Sequence, residues 1–131
     1  QVIDGDTIEL EDGSRIRLIG IDTPEISHDE RRGSECFAEE AREFLQMNIE
    51  GQEVRLEKDI SETDQYSRLL RYVYIDGTMI NLTLVEEGYA KIVTIPPAVR
   101  YAEVFREAVG RARAESRGVW GEACESSGQH L

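Results

Sequence analysis

Positive charge is scarce in this chain, and lysine most of all. Two lysines and 13 arginines stand against 27 acids, a formal net charge of −12 over 131 residues. That balance argues against a protein that holds nucleic acid by bulk positive charge, because such binding grows with the number of cations supplied. Long apolar runs are missing too. No stretch approaches the ~18 residues of a membrane span, so no membrane partner is expected. Cysteine is sparse: Cys36 and Cys124 lie far apart and fit no metal motif, which wants closer pairs. They are either two buried thiols or one disulfide tying the C-terminal tail to the first helix. A bridge closing so long a loop could add roughly 4 kcal/mol in the chain-entropy model. Histidine is no more common. His28 and His130 are distant in sequence, which argues against zinc. An initial Met and a leader segment are lacking, and the chain opens inside a strand pattern. The expectation is that something upstream was removed, so the missing leader says nothing about compartment.

What is present suits one folded domain over residues 1–131, with residues 121–131 as a C-terminal tail. Apolar residues make up 40% of the chain, enough for a single core. The acidity lies at the front: 17 acids and 7 bases in the first 60 residues, 10 acids and 8 bases in the rest. Glu35, Glu39, Glu40 and Glu43 read as the solvated face of a helix.

The stretch with most to explain is Arg17-Leu18-Ile19-Gly20-Ile21-Asp22-Thr23-Pro24-Glu25. Ile16, Leu18, Ile19 and Ile21 read as a buried strand from Ser14 to Ile21. Three charges threaded through such a strand gain nothing unless they meet a metal, a phosphate or one another. Pro24 fixes its own φ and pushes Thr23 toward extended geometry, so the turn carrying Asp22 and Glu25 should be stiff. Ahead of it, Thr7 to Leu10 alternates as a half-buried strand, and Asp12-Gly13 makes a hairpin turn. Behind it come a polar loop over Ile26 to Ser34 and a helix over about Cys36 to Asn48. That helix carries Phe37, Ala41, Phe44, Leu45 and Asn48 on one face. Val54 to Leu56, Leu69 to Ile75 and Tyr89 to Ile95 read as strands, and Ile80 to Glu87 as a short helix. The last helix spans about Val99 to Arg117, with Tyr101, Val104, Phe105, Ala108 and Ala112 inward, and Trp120 anchors the tail. Five strands and packed helices predict an α+β domain, mainly a small closed barrel of the oligonucleotide-binding type.

Charges with no structural role cluster in three stretches, Ile3 to Thr7, Arg17 to Glu25, and Thr63 to Arg68. Asp6 and Asp22 offer hard carboxylate oxygens at two strand ends, which with a carbonyl and waters suit one Ca²⁺. Arg17 and Arg68 are forked donors that match phosphate oxygens. Glu25 could orient or deprotonate an attacking water. Taken singly, each has a plainer reading. Asp4-Gly5-Asp6 is an ordinary turn, Arg17 a strand residue paired with an acid, and Arg68 a loop charge. Together, in this order and context, they form a phosphodiester-cleaving set.

The sequence resembles the staphylococcal nuclease (thermonuclease) family. The resemblance rests on Ile3-Asp-Gly-Asp-Thr7, Arg17 through Glu25, Thr63-Asp-Gln-Tyr-Ser-Arg68, Met79-Ile-Asn81, Leu84 through Lys91 and Arg117-Gly-Val-Trp120. It implies a five-stranded OB-fold barrel with three helices. It also implies Ca²⁺-dependent hydrolysis of DNA and RNA to 3′-phosphate ends, in a monomer outside the cytoplasm. Carried over, Asp6 and Asp22 ligate Ca²⁺ by side chain and Thr23 by its carbonyl, while Asp4 supports them. Arg17, Glu25 and Arg68 are catalytic, and Tyr66 holds a terminal phosphate. Gln65 stands where the family pattern has a phosphate-contacting lysine, and Ser67 where it has a glycine. The tyrosines that flank the base after Lys91 are absent, and Tyr101 is the candidate replacement. Base stacking is worth about 1–3 kcal/mol per base, so substrate should bind more weakly or in a different arrangement here. The alternatives are a module of the same fold that binds single strands or a protein partner without cutting, and a scaffold with a vestigial site.

Overall fold

A computed structural model describes residues 1–27, 33–94, 96, 100–122 and 124. His28, His130, Ile95, Pro97 and most of the 121–131 tail lie outside the described residues, as do the middle of the polar loop and the expected start of the last helix at Val99. The opening strands are β1 (Val2–Asp4), β2 (Thr7–Glu9) and β3 (Arg15–Leu18). The Asp12-Gly13 turn links the latter two, the Ser14 N–H donating to Asp12 Oδ1 at 2.9 Å.

β3 is the middle of the sheet because its alternate residues Ile16 and Leu18 are fully buried. On one side it runs antiparallel to β2, with Thr7 opposite Arg17. On the other it runs parallel to β6 (Leu69–Ile75), with Arg17 opposite Leu70. The far edge is β5 (Arg55–Glu57), and β7 (Thr78–Met79) pairs with the end of β6 through the Asp76-Gly77 turn. The single strand expected from Ser14 to Ile21 breaks at Gly20. There φ is +84°, and an added Cβ would lie 2.3 Å from the Phe105 ring, so only glycine fits. The chain turns, and β4 (Ile21–Asp22) leaves the first sheet to pair with β8 (Lys91–Ile92). β8 is what remains, among the described residues, of the strand expected from Tyr89 to Ile95.

The three expected helices are α1 (Ala38–Ile49), α2 (Ile80–Glu86) and α3 (Ala102–Ala114), giving an α+β fold. α1 packs on β1 and buries Ala41, Leu45 and Ile49. Asn48, expected on that face, is exposed, because a stripe stepping by four from Leu45 reaches Ile49 instead. Val104 is likewise 43% exposed. The inward line of α3 runs Phe105, Ala108, Ala112, and Val104 is a full 100° step off it.

The main core lies between the sheet, α1, α2 and the Phe105–Ala108 face of α3. A second, smaller cluster of Ala112, Val119, Trp120 and Cys124 closes the C-terminal end, with Cys36 and Phe37 packed on it. Cys36 and Cys124 are joined by a disulfide, which ties this cluster to the start of α1. Asn81 stitches core to sheet. Fully buried, it donates from Nδ2 to the Ile19 carbonyl at 2.9 Å and accepts the Val73 N–H at 2.9 Å.

Candidate active site

Strand register gathers the charges. Thr7 stands opposite Arg17, so the turn before β2 brings Asp6 beside the Arg17 guanidinium, and β6 begins just after Arg68. Arg17 Nη2 lies 3.4 Å from Asp6 Oδ2 and 3.5 Å from Asp22 Oδ1, while its Nη1 donates to the Leu18 carbonyl at 2.7 Å. Asp6 Oδ2 also accepts the Thr23 N–H at 3.0 Å, which fastens the first turn to the turn after β4. The Thr7 hydroxyl bridges onward. It donates to Asp6 Oδ1 at 3.2 Å and accepts from Arg68 Nη1 at 3.4 Å. The result is a pocket of about 230 Å³ lined by Asp4, Asp6, Arg17, Asp22, Thr23 and Glu25, together with Pro24, Glu35 and Arg68.

Carboxylates outnumber cations there, and their proton affinities respond. Burial, then the hydrogen bond and charge of Asp6, push the Asp4 carboxyl up to about 6. Burial works against the Asp6 carboxylate as well. The Arg17 guanidinium and the donors from Asp4 and Thr23 outweigh it, and Asp6 ends below the usual carboxylate range. Asp22 is raised by its partial burial and by Asp6, with Arg17 offsetting part and Glu35 and Glu25 adding to it.

The second cation is held separately. Asp64 accepts Arg68 Nε at 2.7 Å and, on its other oxygen, the N–H groups of Tyr66 (2.8 Å) and Arg68 (3.0 Å). Arg68 also lines a neighbouring groove of about 440 Å³, together with Gln65, Tyr66 and an aliphatic floor that includes Leu18, Leu70 and Val93. The Tyr66 ring is 70% exposed, with the Arg68 guanidinium 5.3 Å from its centre. Tyr101, read as a base-flanking candidate, is elsewhere. Its hydroxyl donates to Glu57 at 2.7 Å and its ring sits edge-on to Tyr72 at 4.6 Å, so it lines neither pocket nor groove. The start of α3 carries it to the β5 side of the sheet, where the Glu57 carboxylate and the Tyr72 ring hold both its ends.

Sequence reading missed three participants: Thr7, Asp64 and Glu35. The first two sit inside motif stretches with no evident role of their own. Glu35 was grouped with a solvated helix face, yet it precedes α1 and accepts the Glu25 N–H at 2.6 Å.

The donor set fits a hard cation. Asp6 and Asp22 supply carboxylate oxygens, and among the described residues no sulfur or imidazole lines the pocket. Among the described residues no three His, Cys, Asp or Glu side chains draw close enough to hold an ion unaided. An ion here would need backbone oxygens and water besides, as Ca²⁺ commonly takes.

Known proteins resemble this chain over most of its length. Residues 15–122 match the family described as staphylococcal nuclease homologue. A thermonuclease of Staphylococcus intermedius is 36% identical over 123 residues, covering 92% of this chain and 73% of the relative. One from Staphylococcus hyicus is 36% identical over 123 residues, covering 92% and 72%. Endonuclease YncB of Bacillus subtilis is 30% identical over 128 residues, covering 92% of this chain and 59% of that protein. The shared span takes in β3 and the turn that follows it, the stretch that bears most of the pocket, and on that span the chain belongs to the staphylococcal nuclease family.

Proposed function

We propose that this chain is a Ca²⁺-dependent nuclease that hydrolyses phosphodiester bonds of DNA and RNA, single strands in preference to duplexes, leaving 3′-phosphate ends. One observation carries the reading: Asp6, Arg17, Asp22, Glu25 and Arg68, far apart in sequence, line one pocket. The names of the thermonuclease and endonuclease relatives support it.

In this reading Asp6 and Asp22 hold Ca²⁺ by their carboxylates and Thr23 by its carbonyl, with Asp4 hydrogen-bonded behind Asp6. When bound, the ion supplies fixed positive charge against the phosphoryl oxygens. Arg17 and Arg68 bind the same phosphate through their forked guanidinium groups. Glu25 takes the proton of the attacking water as its oxygen bonds to phosphorus and the 5′-oxygen leaves. Gln65 and Tyr66, on the neighbouring groove, receive the adjoining nucleotide. The acidic surface repels a duplex, which raises the KM and makes cleavage lean harder on the cation. The disulfide supports a location outside the cytoplasm, and the protein works as a monomer. No helix among the described residues is long and apolar enough to cross a membrane.

The test is cleavage of single-stranded DNA with Ca²⁺ or with a chelator, wild type against Glu25→Gln, with end-group analysis of the products. Cleavage that needs Ca²⁺ and falls steeply in the variant is expected. Absence of Ca²⁺-dependent cleavage would remove the nuclease reading, and tight single-strand binding in that case would favour a binding module.

A further inference from the structure

Glu25 sits at the neck of a loop. Its N–H donates to Glu35 Oε1 at 2.6 Å, the Glu35 N–H donates to the Glu25 carbonyl at 3.0 Å, and the Ser27 N–H donates to Ser34 Oγ at 3.0 Å. These three bonds lay residues 25–27 against 34–35. Glu25 and Glu35 are both exposed, so burial fixes neither. What fixes Glu35 is one residue further on. Cys36 is bonded to Cys124, 88 residues away, which is buried with Ala112, Val119 and Trp120. Phe37 follows in a left-handed conformation, φ +71°, which an L-residue adopts only when its surroundings impose it. Its ring lies 6.0 Å from that of Tyr89. The disulfide also borders a cavity of about 120 Å³, and Asp22, Thr23, Pro24 and Glu35 line both this cavity and the acidic pocket. A continuous run of contacts therefore joins the C-terminal cluster to the backbone of Glu25.

We propose that Glu35 is a positioning residue for Glu25 and that the Cys36–Cys124 bond is its anchor, so that activity depends on the disulfide being oxidised. The proposal rests on the nuclease reading above. Glu35 works as a hydrogen-bond acceptor: its carboxylate oxygen sets the Glu25 backbone, and the backbone sets where the Glu25 carboxylate meets the attacking water. Reduction by an external dithiol would split the S–S bond into two thiols, the dithiol closing to its own disulfide. The start of α1 would then be held by packing and backbone hydrogen bonds, without a covalent tie.

Two readouts test this, one of them independent of catalysis. Amide exchange at Glu25, followed by NMR, should be slow in the wild type, fast in Glu35→Ala, and slow again in Glu35→Gln, whose amide oxygen still accepts. In kinetics, Glu35→Ala should lower kcat roughly 10–100-fold, the scale of a misplaced catalytic group. The KM and the affinity for Ca²⁺ alone should hold, and Glu35→Gln should recover most of the rate. Treating the wild type with dithiothreitol, or making Cys36→Ser with Cys124→Ser, should lower kcat to the same level. Adding Glu35→Ala to either should then cost nothing more. If the cysteine pair does not fold, the exposed Glu35 variants carry the test. Equal losses in Gln and Ala would mean that charge matters rather than the acceptor, and would overturn the positioning role. Additive losses on reduction would overturn the anchor. A wild type that does not cut at all defeats the nuclease reading itself, whereas one that cuts as well with Glu35→Ala defeats only this proposal.

Discussion

Gly5→Ala adds one methyl group between the two turns that carry the acids. The φ of Gly5 is not positive, so alanine can adopt the same backbone. On entropy alone the change should stabilise the protein by about 0.4–1 kcal/mol. The space says otherwise. The new Cβ would stand 2.7 Å from Thr23 Oγ1 and 2.9 Å from both Thr23 Cβ and Cγ2. Rotation about χ1 cannot relieve this, because the position of Thr23 Cβ is set by its backbone. Thr23 is only 6% exposed and has nowhere to go, so one turn must shift. Overpacking of this kind costs about 1–3 kcal/mol, which exceeds the entropic gain and leaves a net loss of about 1–2 kcal/mol. With a slope of about 2 kcal/mol per molar, the urea midpoint should fall by roughly 0.5–1 M at unchanged slope. The shift also pulls the Thr23 N–H off Asp6. A displacement of about 1 Å in such a site can cost on the order of 100-fold in rate, so cleavage should suffer more than folding. Adding Thr23→Ala should not help, since Cβ stays. Adding Thr23→Gly should restore the midpoint. A Gly5→Ala protein as stable as the wild type, and cutting as fast, would refute the idea that the two turns are wedged together.

Asn81→Ala strands the Val73 N–H and the Ile19 carbonyl in the core. At about 1–3 kcal/mol for each unpaired group it should destabilise by roughly 2–5 kcal/mol, read from urea melts. Asp59 gives a pH signature. Burial opposes its charge, but donors from Tyr72 OH at 2.6 Å, the Arg100 N–H and the Ile60 N–H hold its carboxyl below the ordinary range. Its stabilisation should be full above about pH 4 and fade as the pH falls through the lower folded value, so wild type and Asp59→Asn should converge in stability in acid. Reducing the disulfide should lower global stability by roughly 4 kcal/mol on the chain-entropy estimate, seen as a fall in Tm.

The central stretch was legible because charge in an apolar frame is costly, and that cost shows in the sequence of residues 16–25 without any coordinates. Strand periodicity then placed Ile16 and Leu18 inside. What could not be read depends on three-dimensional closure. Glu35 shares its sequence neighbourhood with Glu39, Glu40 and Glu43, and no periodicity shows that its oxygen meets a backbone amide ten residues back. The pairing of Cys36 with Cys124 is a property of how α3 returns to α1. Asn81 stood inside a motif, but nothing local says that its amide spans from Ile19 to Val73. Aromatic character is all that points Tyr101 toward the substrate. Where its ring goes is decided by the end of the sheet at which α3 begins.

On the nuclease reading, the charge of the acidic pocket predicts an order of events. Among the described residues, five carboxylates and two guanidinium groups line it. Two like charges about 4 Å apart at an effective dielectric of about 20 repel by about 4 kcal/mol, more than the pocket gains from any one exposed pair. The raised proton affinities of Asp4 and Asp22 reflect burial first, and the charge of Asp6 adds to it. A phosphate would add to that repulsion, so on the proposed reading a cation is expected to enter first. The consequence can be measured without substrate. In cation-free buffer Asp22→Asn should raise the urea midpoint, because it removes a charge that burial and Asp6 disfavour. In saturating Ca²⁺ the ranking should invert. The wild type gains stability by mass action, about 2.7 kcal/mol at 100 times the dissociation constant, and the variant gains far less. If Asp22→Asn were the less stable protein in both buffers, its ion pair with Arg17 at 3.5 Å would outweigh the crowding of carboxylates, and the pocket would need no cation to be at rest.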